Sequence, residues 1–277
     1  MFSKRYADRR IRGSSHEHTV RDQWYRPSCL TMIKILTYNI HKGFDRYNRD
    51  FVLHKIKDQL KDAEVDVVLL QEIQGRHFHH ETRISAWPDV SQFEFLADSI
   101  WPHYAYGKNA IYRKGHHGNA ILSKFVIAEW NNLNLSRFQR ASRSLLHGRV
   151  ELPDSANPLH LLCVHLDLIG FERKRQIREL KRYIDSTIDI DDPVILGGDF
   201  NDWHGGLGRS LEAQLGMREA FSQLNGKCAK TFPSHRPMLR MDRIYFRGVN
   251  LLDSYCLERQ PWDELSDHLP LYARFTV

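Results

Sequence analysis

A mixed α/β layered domain is the fold class that this sequence predicts, on three observations. Strand-like segments outnumber clear helices. Strand–helix–strand units occur twice. Polar residues suited to chemistry recur where the strands end.

The elements follow in order. Ordered structure should begin at MIKILTYNI, with Ile33, Ile35 and Thr37 on one face of a strand and Leu36 and Tyr38 on the other. Residues 50–63, DFVLHKIKDQLKDA, read as an amphipathic helix. Val52, Ile56, Leu60 and Ala63 recur at helical spacing, and Asp50 stands where an N-cap would. VDVVLLQE is the next buried strand. The stretch 78–118 is long, aromatic and rich in His, with weak periodicity, so loops and a short helix are expected there. NAILSKF and LHLLCVHL read as further strands. FERKRQIRELKRYID is a second helix, with Ile177, Leu180 and Ile184 inward and a basic outer face. PVILGG returns to strand, and MDRIYF, LLDSYCL and PLYARFTV complete a β-rich C-terminal part.

At 277 residues the chain can bury a large core as a single domain, expected over residues 32–277. Residues 1–31 hold seven basic and three acidic residues, so +4 of the formal +6 lies in them and +2 in the rest. They read as a basic, flexible, solvated N-terminal tail. The tail lacks the apolar core of a secretory signal, and no apolar run approaches the roughly 18 residues of a membrane span. A monomer in the cytoplasm is expected. No C-x-x-C pair occurs, and Cys163 and Cys256 sit in apolar runs as buried thiols, so neither a zinc site nor an oxidising compartment is called for.

The strand ends carry the chemistry. ILTYN ends at Asn39, VVLLQE at Glu72, LLCVH at His165, and VILGGDFN at Asp199 and Asn201. Asp242 opens a strand, and Asp267 and His268 precede the last one. Each alone is ordinary, and GGDFND alone reads as an Asx turn. Together, if these strands share one edge of a sheet stack, their groups converge. Glu72, Asp267 and Asn39 are hard oxygen donors, which suit Mg²⁺ or Mn²⁺. Histidines and further carboxylates would move protons near neutral pH. That set describes cleavage of a phosphate ester by water. No G-x-S-x-G, Walker A or G-x-G-x-x-G string is present.

TYNIHKG, VLLQE, GNAILS, CVHLDL, GGDFND, MDRIYF and LSDHLPL occur in this order over residues 33–271. In this the chain resembles the endonuclease/exonuclease/phosphatase (DNase I-like) superfamily, and in particular its small bacterial stand-alone members. That superfamily includes DNase I, abasic-site endonucleases, neutral sphingomyelinases and inositol-polyphosphate 5-phosphatases. The resemblance implies a four-layer α/β/β/α sandwich with the site at one end of the paired sheets. It implies a divalent-metal-dependent phosphodiesterase acting by direct attack of an activated water on a phosphate-ester substrate, a nucleic acid or a lipid headgroup. Glu72 would be the principal metal ligand, helped by Asn39 and Asp267. Asp199 and Asn201 would face the water and the scissile phosphate, Asp242 would orient His268, and His165 would bind a phosphate oxygen. The chain departs from DNA-repair members at His41, where they often carry an acid, which leaves a second metal ligand there unsupported.

Two other functions compete. DRIY followed by SDHLP is similar to the pattern of phosphomonoesterases acting on inositol-type phosphates. A non-catalytic binding module on the same fold should show an eroded site, and this one is complete. His77, His79, His80, His116 and His117 read as solvated, Arg173, Lys174 and Arg175 as a solvated helix face, and Trp87, Trp101 and Trp130 as packing residues. Asn119 and Arg143 are candidates for either turn or strand support or a phosphate contact. ISAWPDVSQFEFL is the one candidate for an exposed apolar loop.

Overall fold

A computed structural model describes residues 31–137, 143–153, 155, 157–206 and 208–277. The basic tail lies outside the described residues except for Thr31, whose backbone already pairs with that of Val277.

The chain opens with β1 (Met32–Asn39) and α1 (Leu53–Asp62), followed by β2 (Val67–His77), α2 (Phe78–Arg83) and α3 (Gln92–Ala97). Then come β3 (His103–Tyr112), β4 (Gly115–Ser123), β5 (Ile127–Asn134), β6 (Ser144–Val150) and β7 (Leu159–His165). After α4 (Gly170–Thr187) and β8 (Val194–Asp199) follow α5 (Gly208–Leu215), β9 (Arg218–Glu219) and α6 (Ala220–Asn225). The chain ends with β10 (Asp242–Arg247), β11 (Asn250–Cys256), α7 (Trp262–Leu265) and β12 (Leu271–Thr276).

Among the described residues the strands form two six-stranded sheets, ordered β11-β12-β1-β2-β4-β3 and β5-β6-β7-β8-β10-β9. Their inner faces pack on each other through Ile33, Ile35, Leu69, Leu161, Ile195 and Phe246. Outside the first sheet, Leu36 and Tyr38 of β1 meet Ile56 and Leu60 of α1. Outside the second, Leu162 and Leu196 meet Ile177, Leu180 and Ile184 of α4. Both faces of β1 are thus buried, as the apolar run MIKIL requires. The result is the expected α/β/β/α sandwich. No helix among the described residues is long and apolar enough to cross a membrane.

Several expectations need correction. The stretch 78–118 contains β3 and the start of β4, not mainly loop, and Asn119 lies inside β4. The edge position and polar run GKNA of β3 hid its period. Helix α1 starts at Leu53 after an uncapped Val52, so Asp50 is not its cap. Trp87 and Trp101 are buried, whereas Trp130 is 55% exposed. In ISAWPDVSQFEFL, Trp87 stacks on Phe51 and Leu96 is core, so that segment is no apolar loop, although Val90 is exposed. Cys256 is only half-buried. His77 is buried and stacks on His80, and Arg173 is buried too, so neither is a solvated surface group.

Gly197 and Gly198 explain the odd end of β8. A Cβ on Gly197 would lie 2.7 Å from Leu69 of the facing sheet, and Gly198 has φ 147° with its Cβ position 2.0 Å from the Val164 carbonyl oxygen. Only glycine permits this close approach and this backbone.

A buried polar chain crosses the outside of the second sheet. Tyr183 Oη lies 2.9 Å from His147 Nδ1, His147 Nε2 lies 2.8 Å from His160 Nδ1, and His160 Nε2 lies 3.1 Å from Asp192. Every atom has a partner when both imidazoles are neutral. Glu129 and Arg149 line the same cleft. Burial, and then His160 beside it, lowers the His147 pKa to about 4. The unfolded chain therefore takes up that proton first as pH falls. The stability that a neutral His147 confers is complete above about pH 6.5 and is lost towards pH 4, up to about 3 kcal/mol. Urea midpoints at pH 7 and pH 4 should separate less in His147→Gln than in the parent. Equal separations would refute the assignment.

Candidate active site

The site is built from a row across the second sheet. His165 of β7 pairs in register with Asp199 of β8, and Asp199 pairs with Asp242 of β10. Residues in register on adjacent strands share a face, so three chemically active side chains stand side by side. The first sheet brings Asn39 from the end of β1. His268 arrives on the loop that leads into β12.

Asp199 is the hub. Its Oδ2 accepts from Asn39 Nδ2 at 3.2 Å and lies 3.4 Å from His165 Nε2 and 3.8 Å from His268 Nε2. Its Oδ1 accepts from the Asn201 backbone N–H at 2.9 Å. The Asn201 side chain donates to the Leu166 carbonyl at 2.9 Å, and its φ of 50° turns the chain out of the strand. His268 Nδ1 sits 2.8 Å from Asp242 Oδ2, which leaves Nε2 facing Asp199. All six of these residues are at most 6% exposed.

Glu72 does not end its strand as expected, for β2 runs on to His77. Instead the register between β2 and β4 shifts between Leu70 and Ile73, and Glu72 has φ 56°. Such a bulge re-aims a side chain, and positive φ at a non-glycine residue marks strain held by its surroundings. Gln71 beside it reaches across the sandwich to Cys163 Sγ at 3.2 Å, and Asn119 donates to the Ser144 and Cys163 carbonyls. Asn119 thus joins the two sheets. Lys42 Nζ meets Glu72 Oε2 at 2.5 Å. Asp267 Oδ1 accepts from Ser266 Oγ and lies 3.8 Å from His41 Nδ1, and Ser266 also donates to the Asn39 carbonyl.

The electrostatics differ from group to group. Burial pushes the Glu72 carboxyl up, but the Lys42 ammonium, which also bonds to it, outweighs burial and holds the group well below the usual carboxylate range. His165 and His117 add to this only where they are protonated. Burial raises Asp199, although His268 opposes the shift. Burial pushes His268 down, but Asp242 and Asp199 prevail and raise it to about 10. Burial and then Arg143 keep His165 neutral, far below its ordinary value. Arg143 Nη1 lies 2.7 Å from His165 Nε2.

The donor set suits a hard divalent cation. Glu72 is ionised, already holds a cationic group, and keeps 20% of its side chain exposed, while that of Asp267 is 29% exposed. Water can therefore complete the shell that Mg²⁺ retains. Among the described residues, Asp199, Asp242 and His268 also bring three ligand atoms within 4.8 Å of one another. That closeness comes from the imidazole–carboxylate bond, which a metal ion would have to displace. Glu72 and Asp267 stand outside that trio.

Sequence reasoning missed Lys42 and undervalued His117, which lies near enough to Glu72 to feel its charge. The signals were there: Lys42 is in TYNIHKG and His117 precedes GNAILS. Asp202, third in the GDFND cluster, turns away. It pairs with the buried Arg243, whose Nη2 also donates to the Asp202 carbonyl at 2.6 Å. Asp202→Ala should cost about 3 kcal/mol, because it strands a buried guanidinium. Activity per folded molecule should survive. Urea unfolding with an active-site titration tests both, and an unchanged midpoint would contradict this role.

The signature of the Endonuclease/Exonuclease/phosphatase family matches residues 36–268. The uncharacterised protein YbhP of Escherichia coli K12 is 40% identical over 240 residues, covering 87% of this chain and 94% of YbhP. Two solved structures share the fold. The endonuclease/exonuclease/phosphatase from Beutenbergia cavernae superposes with a TM-score of 0.69 at 18% identity, covering 89% of this chain and 72% of that one. TDP2 of D. rerio, complexed with single strand DNA product, superposes with a TM-score of 0.67 at 20% identity, covering 89% of this chain and all of that one.

Proposed function

Because the chain belongs to the Endonuclease/Exonuclease/phosphatase family, we propose that it is a divalent-metal-dependent phosphodiesterase that transfers the phosphoryl centre directly to water. The observation that carries this reading is the convergence on Asp199 of Asn39 from one sheet, His165 from the other and His268 from a third segment.

Glu72, with Asn39 and Asp267, would hold Mg²⁺ or Mn²⁺, and the bound ion supplies neutralisation of negative charge on the phosphate oxygens. The chain's own groups do the rest. Asp199 and His268 flank the position from which water attacks; the water's proton passes to Asp199, with the protonated His268 beside it as its charge partner. Asp242 fixes the imidazole through Nδ1, so that Nε2 always faces inward. Asn201 and His165 line the phosphate position. Arg143 behind His165 adds fixed positive charge where the transition state gathers negative charge. Among the described residues, neither the His165 nor the His268 imidazole bonds a serine hydroxyl or a cysteine thiol that it could activate. That favours direct hydrolysis over a covalent intermediate.

A panel of bis-p-nitrophenyl phosphate, single-stranded and duplex DNA, RNA, phospholipids and inositol phosphates, each with Mg²⁺ and with EDTA, tests the reading. Turnover of at least one diester that EDTA abolishes is expected. Hydrolysis of phosphomonoesters alone would replace it with the phosphatase reading, and full activity in EDTA would refute the metal.

A further inference from the structure

The segment that follows His165 does something unusual for a water-facing surface. Leu168 is 55% exposed, Ile169 62% and Phe171 64%. Three large apolar side chains within four residues present themselves to solvent, beside the site.

The segment is held, not loose. Asp167 Oδ1 accepts from the Ile169 N–H at 2.9 Å, and the Asp167 N–H donates to Gln176 at 2.9 Å. The buried Arg173 donates to the Asp167 and Leu168 carbonyls, and its guanidinium lies 5.0 Å over the Trp203 ring. Trp203 is two residues past Asn201, so the loops after β7 and β8 stand side by side at the mouth of the site. The apolar tips are therefore carried on a rigid base next to the phosphate position.

Charge gives the surface its partner. Lys174 and Arg178 follow Phe171 at helical spacing on the exposed face of α4. The nearby Glu172 is taken up by Arg175 at 3.0 Å. An apolar tip backed by cations matches the layering of an anionic bilayer, with acyl chains below and phosphates above. A nucleic-acid groove would lay aromatic planes between its cations, whereas two of these three tips, Leu168 and Ile169, are aliphatic and offer no face on which a base could stack. A second copy of the chain would need about 800 Å² per partner, far more than three side chains offer.

We propose that this face docks the domain on anionic membrane surfaces, with Leu168, Ile169 and Phe171 inserting and Lys174 and Arg178 meeting the phosphates. The site then opens on the headgroup layer. This rests on the phosphoesterase reading for its meaning, but docking itself is tested without turnover.

The full chain is sedimented with sucrose-loaded phosphatidylcholine vesicles, with and without phosphatidylglycerol. Hydrolysis of bis-p-nitrophenyl phosphate is followed in parallel. The parent should prefer the phosphatidylglycerol vesicles. Leu168→Ser/Ile169→Ser/Phe171→Ser should lower partition about tenfold or more, and Lys174→Glu/Arg178→Glu should lower it on the anionic vesicles. Both variants should cleave the soluble diester at the parent's rate. Equal partition of the parent and the triple variant would overturn the proposal, including the case in which the basic tail alone binds. So would a dimer that the triple variant converts to monomer in the ultracentrifuge, or a loss of single-stranded DNA binding in place of vesicle binding. If the parent cleaves no diester while the triple variant still loses its vesicles, the docking stands and the phosphoesterase reading falls.

Discussion

Glu72→Gln is expected to lower turnover of a phosphodiester by about a thousandfold or more at saturating Mg²⁺, the loss that follows when the ligand carrying a catalytic ion is neutralised. Glutamine keeps the size of the side chain and the bulge that aims it. It removes the one charge that burial would suppress and that Lys42 keeps in place. A hard cation binds carboxylate far better than amide oxygen, and Asn39 and Asp267 would be left with half the negative charge. Lys42 would then face a neutral amide, so Mg²⁺ affinity and rate should fall together. Calorimetric titration with Mg²⁺ and initial rates across Mg²⁺ concentration provide the check. A Glu72→Gln variant with the parent's rate would place the ion elsewhere, with the Asp199, Asp242 and His268 trio next in line.

Much of the fold was legible because its buried strands are short apolar runs with clear ends. MIKIL, VVLL, LHLLCV and PVIL announce the central strands, and α1 and α4 show helical spacing on their inner faces. The edge strand β3 was not legible. Its outer position relaxes the demand for alternation, so YGKNAIY looks like loop. The bulge at Glu72 was equally hidden, because a register shift depends on the partner strand, and no local residue marks it. For the site, the residue types at strand ends and their order along the chain located Asn39, His165, Asp199, Asn201, Asp242 and His268, which the structure gathers within one network. The sequence reading placed Asp199 in the site and left Asp202 without a role. Three positions apart in GDFND, one is a hub shared by both sheets and the other is the counter-charge of Arg243, a residue 41 positions later. Lys42 was overlooked although it lies in TYNIHKG, since its role comes from Glu72, 30 residues on.

His268→Ala should produce a loss of about 10²–10⁴-fold in turnover, the range for removing a positioned proton-transfer group, while leaving Mg²⁺ affinity near the parent's. The distinction follows from geometry. The imidazole is committed through Nδ1 to Asp242 at 2.8 Å and turns Nε2 towards Asp199, whereas Glu72 engages Lys42 on the other sheet. Removing the ring therefore takes the imidazolium away from Asp199, the carboxylate that receives the water's proton, without touching the carboxylate assigned to the ion. Asp242→Asn should fall between the two. Its amide oxygen can still accept from Nδ1, but the charge that steadies the imidazole is gone, and the amide nitrogen can compete for the same place. The ring packs 5.0 Å from Phe232, so alanine also leaves a gap, and a modest loss of stability is expected that His268→Asn would reduce. Both His268 variants should be slow to a similar degree if proton transfer is the cause. If His268→Ala and Glu72→Gln lose Mg²⁺ affinity equally, then His268 acts as a ligand, the trio is the metal centre, and the roles of Asp199 and Asp242 change with it.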